Sequence, residues 1–351
     1  MSRLPAADGA AVASAVQRHR RRVTPGIHDI TAFWARQNQD TAHRELLAPL
    51  LPATGPSGLV AQGSTILARW GSTDVPEMAF SVTKSVVSLL AGVAYDDGLL
   101  HPDDRVAATV AHPALEQGSG PRLTWEHLLQ QTSQWDGALW GKPAAVDAQS
   151  RREGDEPVGG PPGSGWAYND VRVNLLCLAL TIRFGRPLPD VLADRVLGPL
   201  GGSDSWSWPA YRGAVVRVRG RDVPVVGGGA HWGGGLCIST DDLALIGRLY
   251  LRRGAWAGRR VVSEDWMART WTPCRVRPGY GYLWWLNDDR TLLPDAPATG
   301  RCARGNLGRH LLWLDPAREL LVVSRWGEDS GRLVTEVSTA VPRTDTADRA
   351  L

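Results

Sequence analysis

Lysine is almost missing from this chain. Of its 39 basic residues only Lys84 and Lys142 are lysine, and the other 37 are arginine. Where arginine serves nearly everywhere, a retained lysine suggests a position whose side chain must give up a proton, which arginine cannot do. The blander reading, a leftover surface lysine, suits Lys142. Cysteine is also sparse: Cys177, Cys237, Cys274 and Cys302 are scattered, with no C-x-x-C, which argues against a disulfide frame or a zinc ribbon. The eight histidines show neither H-E-x-x-H nor another tight ligand spacing, so no metal and no cofactor is implied. No window approaches the roughly 18 apolar residues of a membrane span. The apolar stretch at 10–16 is short and precedes the basic run at 18–22, the reverse of a signal peptide's charge order. A net charge of +3 is too small and too evenly spread to argue for nucleic acid. These absences point to a reduced, metal-free, cytoplasmic protein.

What is present is an ordinary globular composition, 43% apolar and 21% charged, in 351 residues, enough for one large domain or two smaller ones. The first 50 residues read as helical, with Ile30, Phe33 and Trp34 as a partial apolar face. Strands are expected at 58–61 and 65–70 around a turn at 62–64. The clearest helix is 81–97: Val82, Val86, Leu89, Leu90 and Val93 recur at three- and four-residue steps, and Gly98 stands where the helix should end. Shorter helices are expected at 102–110 and 124–131, the latter opened by Thr124, and further helices at 171–184, 189–197 and 241–252. The loop at 135–165 is rich in Gly, Pro and charge and long enough to be a binding loop. β-like runs follow at 214–218, 223–226, 311–314 and 320–325. Strands near both ends with helices between them give an α+β fold, with a sheet region at 51–100 and 226–345 and a mainly helical region at 101–225.

Chemistry concentrates at Ser81-Val82-Thr83-Lys84. A spacing of three puts Ser81 and Lys84 on one helical face. The serine lies at the helix N-terminus, where free N–H groups and the positive dipole end face developing negative charge. A capping role alone would explain the serine but not a lysine on an otherwise apolar helix. To act as a base, Lys84 needs its pKa of about 10.4 lowered by several units. Tyr168, at the junction of a Gly/Pro loop and an apolar helix, can relay a proton. The glycine-punctuated 303–308, just before an edge-like strand, can offer N–H groups to an oxyanion.

The runs FSVTKSVVSLLAGVAYDDGLL, LTWEHLLQQTS, WAYNDVRVNLL, HWGGGLCISTDDLA and LLWLDPARELLVV, in this order, resemble the serine β-lactamase/penicillin-binding-protein superfamily. They are nearest its class C-like branch of esterases and 6-aminohexanoate-dimer hydrolases. The resemblance spans roughly residues 55–330. It implies a β-lactamase/transpeptidase-like fold: an antiparallel sheet from both chain ends, flanking helices and a helical region. It places the family's serine and lysine on Ser81 and Lys84 and its tyrosine on Tyr168, while Asp170 stands where the family often has asparagine. The third motif, Lys-Thr-Gly or His-x-Gly, should fall within 303–306, yet neither form is there. Ala303 or Arg304 takes the Lys/His place, depending on register, and Asn306 or its neighbour Gly305 offers the oxyanion N–H. Trp135, Trp140 and Trp232 fall in loops the family places around the cleft.

The expectation is therefore a serine hydrolase acting on a small-molecule ester or amide rather than on β-lactams. The alternatives are a transacylase that passes the acyl group to an amine, and a non-catalytic binding or sensor protein of the same fold. No nucleic-acid or membrane partner is expected, and the sequence leaves the oligomeric state open.

Overall fold

The computed structural model describes residues 5–27, 29, 32, 51–146, 160–228 and 235–344. The main sheet has six strands: β1 (Ser57–Gln62), β2 (Thr65–Trp70), β3 (Trp285–Leu286), β4 (Arg301–Gly305), β5 (His310–Asp315) and β6 (Leu320–Arg325). Their order is β3-β4-β5-β6-β1-β2, and every neighbouring pair is antiparallel. The chain ends meet where β1 pairs β6, with Leu59 opposite Val323. β1, β5 and β6 are buried along their whole length. Successive side chains point to opposite faces of a strand. Leu59, Ala61, Leu312, Leu314, Leu321 and Val323 thus enter one core, while Val60, Leu311, Trp313, Leu320 and Val322 enter another.

Two sets of helices cover those faces. The terminal helices α1 (Gly9–Arg20) and α6 (Ser330–Ala340) lie together on one. Val12, Ala15 and Val16 share a cluster with Leu333, Val334 and Val337, and Asp8 N–H donates to Ala340 O at 2.9 Å. The other face receives α5 (Thr240–Leu251), capped by Ser239, and α2 (Thr83–Asp96) lies against α5, with Tyr250 Oη donating to Ser85 O at 3.0 Å. At Gly247 a Cβ would lie 2.5 Å from Leu321 Cδ1, so the small residue lets α5 settle on the sheet. Between these elements lie α3 (Trp125–Leu129), opened by a Thr124 capping box, and α4 (Asp170–Phe184), capped by Asn169 and closed by left-handed Gly185.

Most expected elements are present, with corrections. The helix expected at 102–110 shrinks to Val106–Thr109, and the one at 189–197 begins as Leu188–Leu192 and widens into a π-turn, Ala193–Leu197, ahead of Pro199. The strand at 311–314 is no edge: β4 flanks it on the open side. In β4, two arginines and a glycine hide the strand pattern, and pairing with β5 overrides that weak propensity. The β-like runs at 214–218 and 223–226 form a hairpin, Ala210–Val218 with Arg221–Val226, inside the region expected to be mainly helical. At the N-terminus α1 is helical, whereas Ile30, Phe33 and Trp34 lie outside the described residues.

Two histidines tie this packing to pH. His19 is sealed from solvent with Nε2 2.8 Å from Ser324 Oγ; burial, with the nearby Arg22 charge, lowers its pKa to about 4. His310 sits between Phe80 and Trp326, at 4.4 and 4.5 Å between ring centroids. Burial, then Arg325 and Arg309, hold it well below the ordinary imidazole range. Both rings fold neutral, while the unfolded chain takes up protons near pH 6.5. The unfolded state therefore binds more protons as pH falls below about 6.5, and stability should drop by roughly 1.4 kcal/mol per pH unit for each ring. Urea denaturation should show a lower midpoint at pH 5 than at pH 7, with His310→Phe removing about half of the fall. An unchanged midpoint would show that both rings carry their charge inside the fold.

Candidate active site

The site is assembled where the turn before α2 meets the end of β4 and the start of α4. Met78 pairs with Cys237, and Ala79 N–H donates to Leu236 O at 2.8 Å, anchoring the chain just before the turn. Phe80 then adopts φ +52°, a left-handed backbone that is sterically costly for a bulky residue, held by packing against His310 and Trp326. One 3₁₀ turn, Phe80–Val82, leads into α2, so Ser81 sits at the positive end of that helix with 8% of its surface exposed. Gly305 closes on this turn from β4. A Cβ there would lie 2.8 Å from Ser81 N, 2.7 Å from Phe80 Cβ and 3.0 Å from Ala79 O, so only glycine lets the two backbones touch. Beyond it Asn306 and Leu307 are both left-handed, at φ +50° and +57°, and the strand ends.

Lys84 lies one turn along α2 and is 1% exposed. Its Nζ donates to Ser81 Oγ at 2.8 Å and to Asp170 Oδ1 at 2.5 Å. Asp170, fully buried, is the first residue of α4, where the helix N-terminus favours a negative charge. Tyr168 is hydrogen-bonded to both Ser81 and Lys84, and Lys84 Nζ stands 4.6 Å from its ring centroid. Tyr168 is clamped from behind by Gln131. The Gln131 carbonyl accepts from Ala167 N–H at 3.1 Å, its Oε1 accepts from Asn169 N–H at 2.6 Å, and its Nε2 donates to Tyr280 Oη at 3.2 Å. Trp166, Tyr280 and Trp285 extend the Tyr168 side into an aromatic wall, with Trp285 5.6 Å from Tyr168. Arg304 lies over Trp285 at 5.2 Å, and Arg277 over Trp166 at 5.0 Å.

The electrostatics run against the expected lowering of the lysine pKa. Burial is the largest influence on Lys84 and favours the neutral amine. The Asp170 charge, Tyr168 and the hydrogen bonds to both outweigh it, holding the ammonium above its ordinary range. Burial likewise raises Tyr168, and the Asp170 charge adds to this. Lys84 and the hydrogen bonds from Ser81 and Lys84 oppose but do not reverse it. Both side chains keep their protons at neutral pH.

Residues 58–325 match the model of the Beta-lactamase family. The chain belongs to that family. Its fold agrees with solved members of this structural class. EstCE1, described as a hydrolase with promiscuous acyltransferase activity, shares 16% identity and a TM-score of 0.57 over 95% of this chain and 99% of its own. SurE in complex with D-Leu shares 18% identity and a TM-score of 0.59 over 96% of this chain and 77% of that one. A Bacillus anthracis protein bearing the name 6-aminohexanoate-dimer hydrolase shares 14% identity and a TM-score of 0.54 over 84% of this chain and 76% of that one.

Within this Beta-lactamase-family fold, Ser81, Lys84, Tyr168 and Asp170 come together as one cluster, and Gly305 touches it. Arg304 and Asn306 flank Gly305, with Arg304 partly exposed beside the aromatic wall. Trp135 does not join them. It is 2% exposed in the main core, with its indole N–H donated to Ala114 O, because a large ring among short helices is better spent on burial. Trp140 is half-buried beside Tyr211, and Trp232 lies outside the described residues. Lys142 is no surface remnant: it is 6% exposed, with Nζ 4.6 Å from the Tyr211 ring centroid. Among the described residues, Gln131, Tyr280 and Trp285 are the contributors that the sequence reading did not single out. Replacing Gln131 with leucine keeps its bulk but removes the side-chain acceptor and donor behind Tyr168. The burst of acylation by a p-nitrophenyl ester should slow by on the order of 10²-fold, as for a misplaced reacting group, while near-ultraviolet circular dichroism stays native. A wild-type burst would show that Tyr168 keeps its place without the clamp.

Proposed function

We propose that the protein is a serine hydrolase that forms an acyl-enzyme from a small ester or amide, with Ser81 as nucleophile. The observation that carries this is the buried contact set: Lys84 Nζ at 2.8 Å from Ser81 Oγ, with Tyr168 hydrogen-bonded to both. A serine hydroxyl is a weak nucleophile unless an adjacent group takes its proton. Ser81 attacks the carbonyl carbon as its proton passes, directly or through Tyr168, to a Lys84 that has first given up a proton of its own. The resulting oxyanion is met by the N–H of Ser81, at the head of α2, and by one from the 303–306 segment that Gly305 brings into contact with it. Collapse returns the proton to the leaving group, and a second nucleophile, activated the same way, releases the acyl group. The intact contact set favours this over a non-catalytic binding role.

Contact between Gly305 and the Ser81 turn supports reading Gly305 as the glycine of the third motif, so that Ala303 takes the Lys/His place and Arg304 the middle one. Ala303 is buried in the main core and offers no charge to a substrate carboxylate. The pocket is therefore poorly suited to β-lactams. The aromatic wall of Trp166, Tyr168, Tyr280 and Trp285 supports a second reading, transfer of the acyl group to an amine, because apolar walls disfavour water. The acyltransferase side activity named for EstCE1 and the amino acid held by SurE are compatible with it.

Intact-mass measurement after exposure to a p-nitrophenyl ester should show one acyl adduct that Ser81→Ala loses while remaining folded. An adduct that persists on the alanine variant removes Ser81 from the role. Hydrolysis of a chromogenic cephalosporin should be negligible beside that of the ester, and comparable kcat/KM on the two would overturn the pocket reading. Rising amine should divert product from acid to amide if transfer is the physiological fate. Amide held at the uncatalysed background while acid forms at full rate makes the enzyme a plain hydrolase.

A further inference from the structure

Asp170 has no part in the relay just described, yet Lys84 approaches it more closely than it does Ser81, at 2.5 against 2.8 Å. Ser81, Lys84 and Tyr168 all bear protons at rest, and three proton-bearing groups can pass a proton along only if one of them first gives up its own. The Lys84 ammonium spans the gap, donating to Ser81 Oγ at 2.8 Å on one side and to Asp170 Oδ1 at 2.5 Å on the other, with neither charged side chain more than 1% exposed. We propose that Asp170 is the proton-holding residue of the site: Lys84 hands a proton to Asp170 as Ser81 is activated, and recovers it when the acyl-enzyme has formed. This rests on the acyl-enzyme reading and adds the end point of its proton path.

The step balances. One Lys84 N–H bond breaks and an O–H bond forms on Asp170 Oδ1, turning ammonium and carboxylate into amine and carboxylic acid with no net charge moved into the site. The amine lone pair then takes the Ser81 hydroxyl proton, directly or through Tyr168, as the Oγ–C bond forms and the carbonyl electrons move to oxygen. Collapse expels the leaving group, which takes the proton from Lys84, and Asp170 returns its proton to the amine. Burial brings the neutral pair within reach because it penalises the two charges, while a helix N-terminus, where Asp170 sits, favours the carboxylate. Asp170 touches Lys84 and not the reacting carbon, so it is a positioning residue that acts through Lys84.

Other titratable or charged groups stand on α4 and the segment before it. Tyr168 faces it from the segment before α4, and Cys177 from two turns along α4, its thiol pushed up by burial and so protonated. Arg172 carries a fixed charge on the first turn of α4 and donates through Nε to Trp135 O at 2.9 Å.

The test is the pH profile of the acylation burst with a p-nitrophenyl ester. Because the exchange is internal to the pair, the wild-type rate should be flat over about pH 6–9, whereas a lysine titrating against solvent gives nearly tenfold per unit. In Asp170→Asn, Lys84 loses the interactions that raise it while burial remains, so its pKa falls and the amine itself becomes the base. The rate at pH 7 should drop on the order of 10²-fold and climb with pH. Asp170→Glu should keep a flat profile at reduced rate. A wild-type rate that climbs tenfold per unit through pH 7–9, or an Asn variant as fast and as flat as wild type, overturns the proposal. Should the Asn variant fail to fold, the wild-type and Glu profiles still decide. An unlabelled Ser81 in the wild type would instead bring down the acyl-enzyme reading itself.

Discussion

An ammonium sealed from water requires an anion in contact with it, and this requirement joins the two halves of the fold. Lys84 rides on α2, whose leading turn abuts β4 of the sheet, and Asp170 opens α4 in the helical region. Leaving either charge buried alone costs about 3–5 kcal/mol, enough to consume much of a domain's stability. The start of α4 must therefore lie beside the first turn of α2. The cap on α4 serves the same end: Asn169 takes the Arg172 N–H, the chain reverses from the Tyr168 segment, and Asp170 comes to rest at a helix N-terminus that favours its charge.

Around that pair the backbone is held by contacts that leave little freedom. Phe80 is left-handed immediately before Ser81, and its ring is wedged by a neutral His310 that lies opposite Gly305 in the sheet. The absence of a side chain at Gly305 lets β4 touch the Ser81 turn, and Gln131 clamps the chain on both sides of Tyr168. Strain at Phe80 and the tightness at Gly305 are both paid for by packing elsewhere, which is the arrangement expected of a preorganised site. Stability and geometry at the site thus share residues, and acid weakens the frame through His310 before it reaches the carboxylates.

The sequence made the nucleophile helix legible because a regular apolar stripe, a serine at its head and a lysine one turn on are all local signals. β1, β5 and β6 were legible for the same reason, since their apolar runs survive without knowledge of their partners. β3 and β4 were not, because two residues of β3 and the polar RCARG of β4 become strand only through the ladder that β5 offers. Trp135 misled because its loop position says nothing of which way a ring turns. Gln131 acts through both its backbone and its amide, and neither role leaves a sequence pattern. The expected fall in the Lys84 pKa failed on a long-range fact: a carboxylate at residue 170, 86 positions away in the chain, lies in contact with the ammonium.

The two lysines give direct access to the central claim, that the resting site holds Lys84 as an ammonium paired to Asp170. With ¹⁵N at lysine Nζ the protein has only two side-chain signals, Lys84 and Lys142, assignable through Lys142→Arg. Titrated by nuclear magnetic resonance, the Lys84 signal should remain that of an ammonium beyond the ordinary lysine value of about pH 10.4, and should turn to amine at lower pH in Asp170→Asn. A wild-type Lys84 that is already a free amine near pH 7–8, with the Asn variant titrating no lower, would contradict the account.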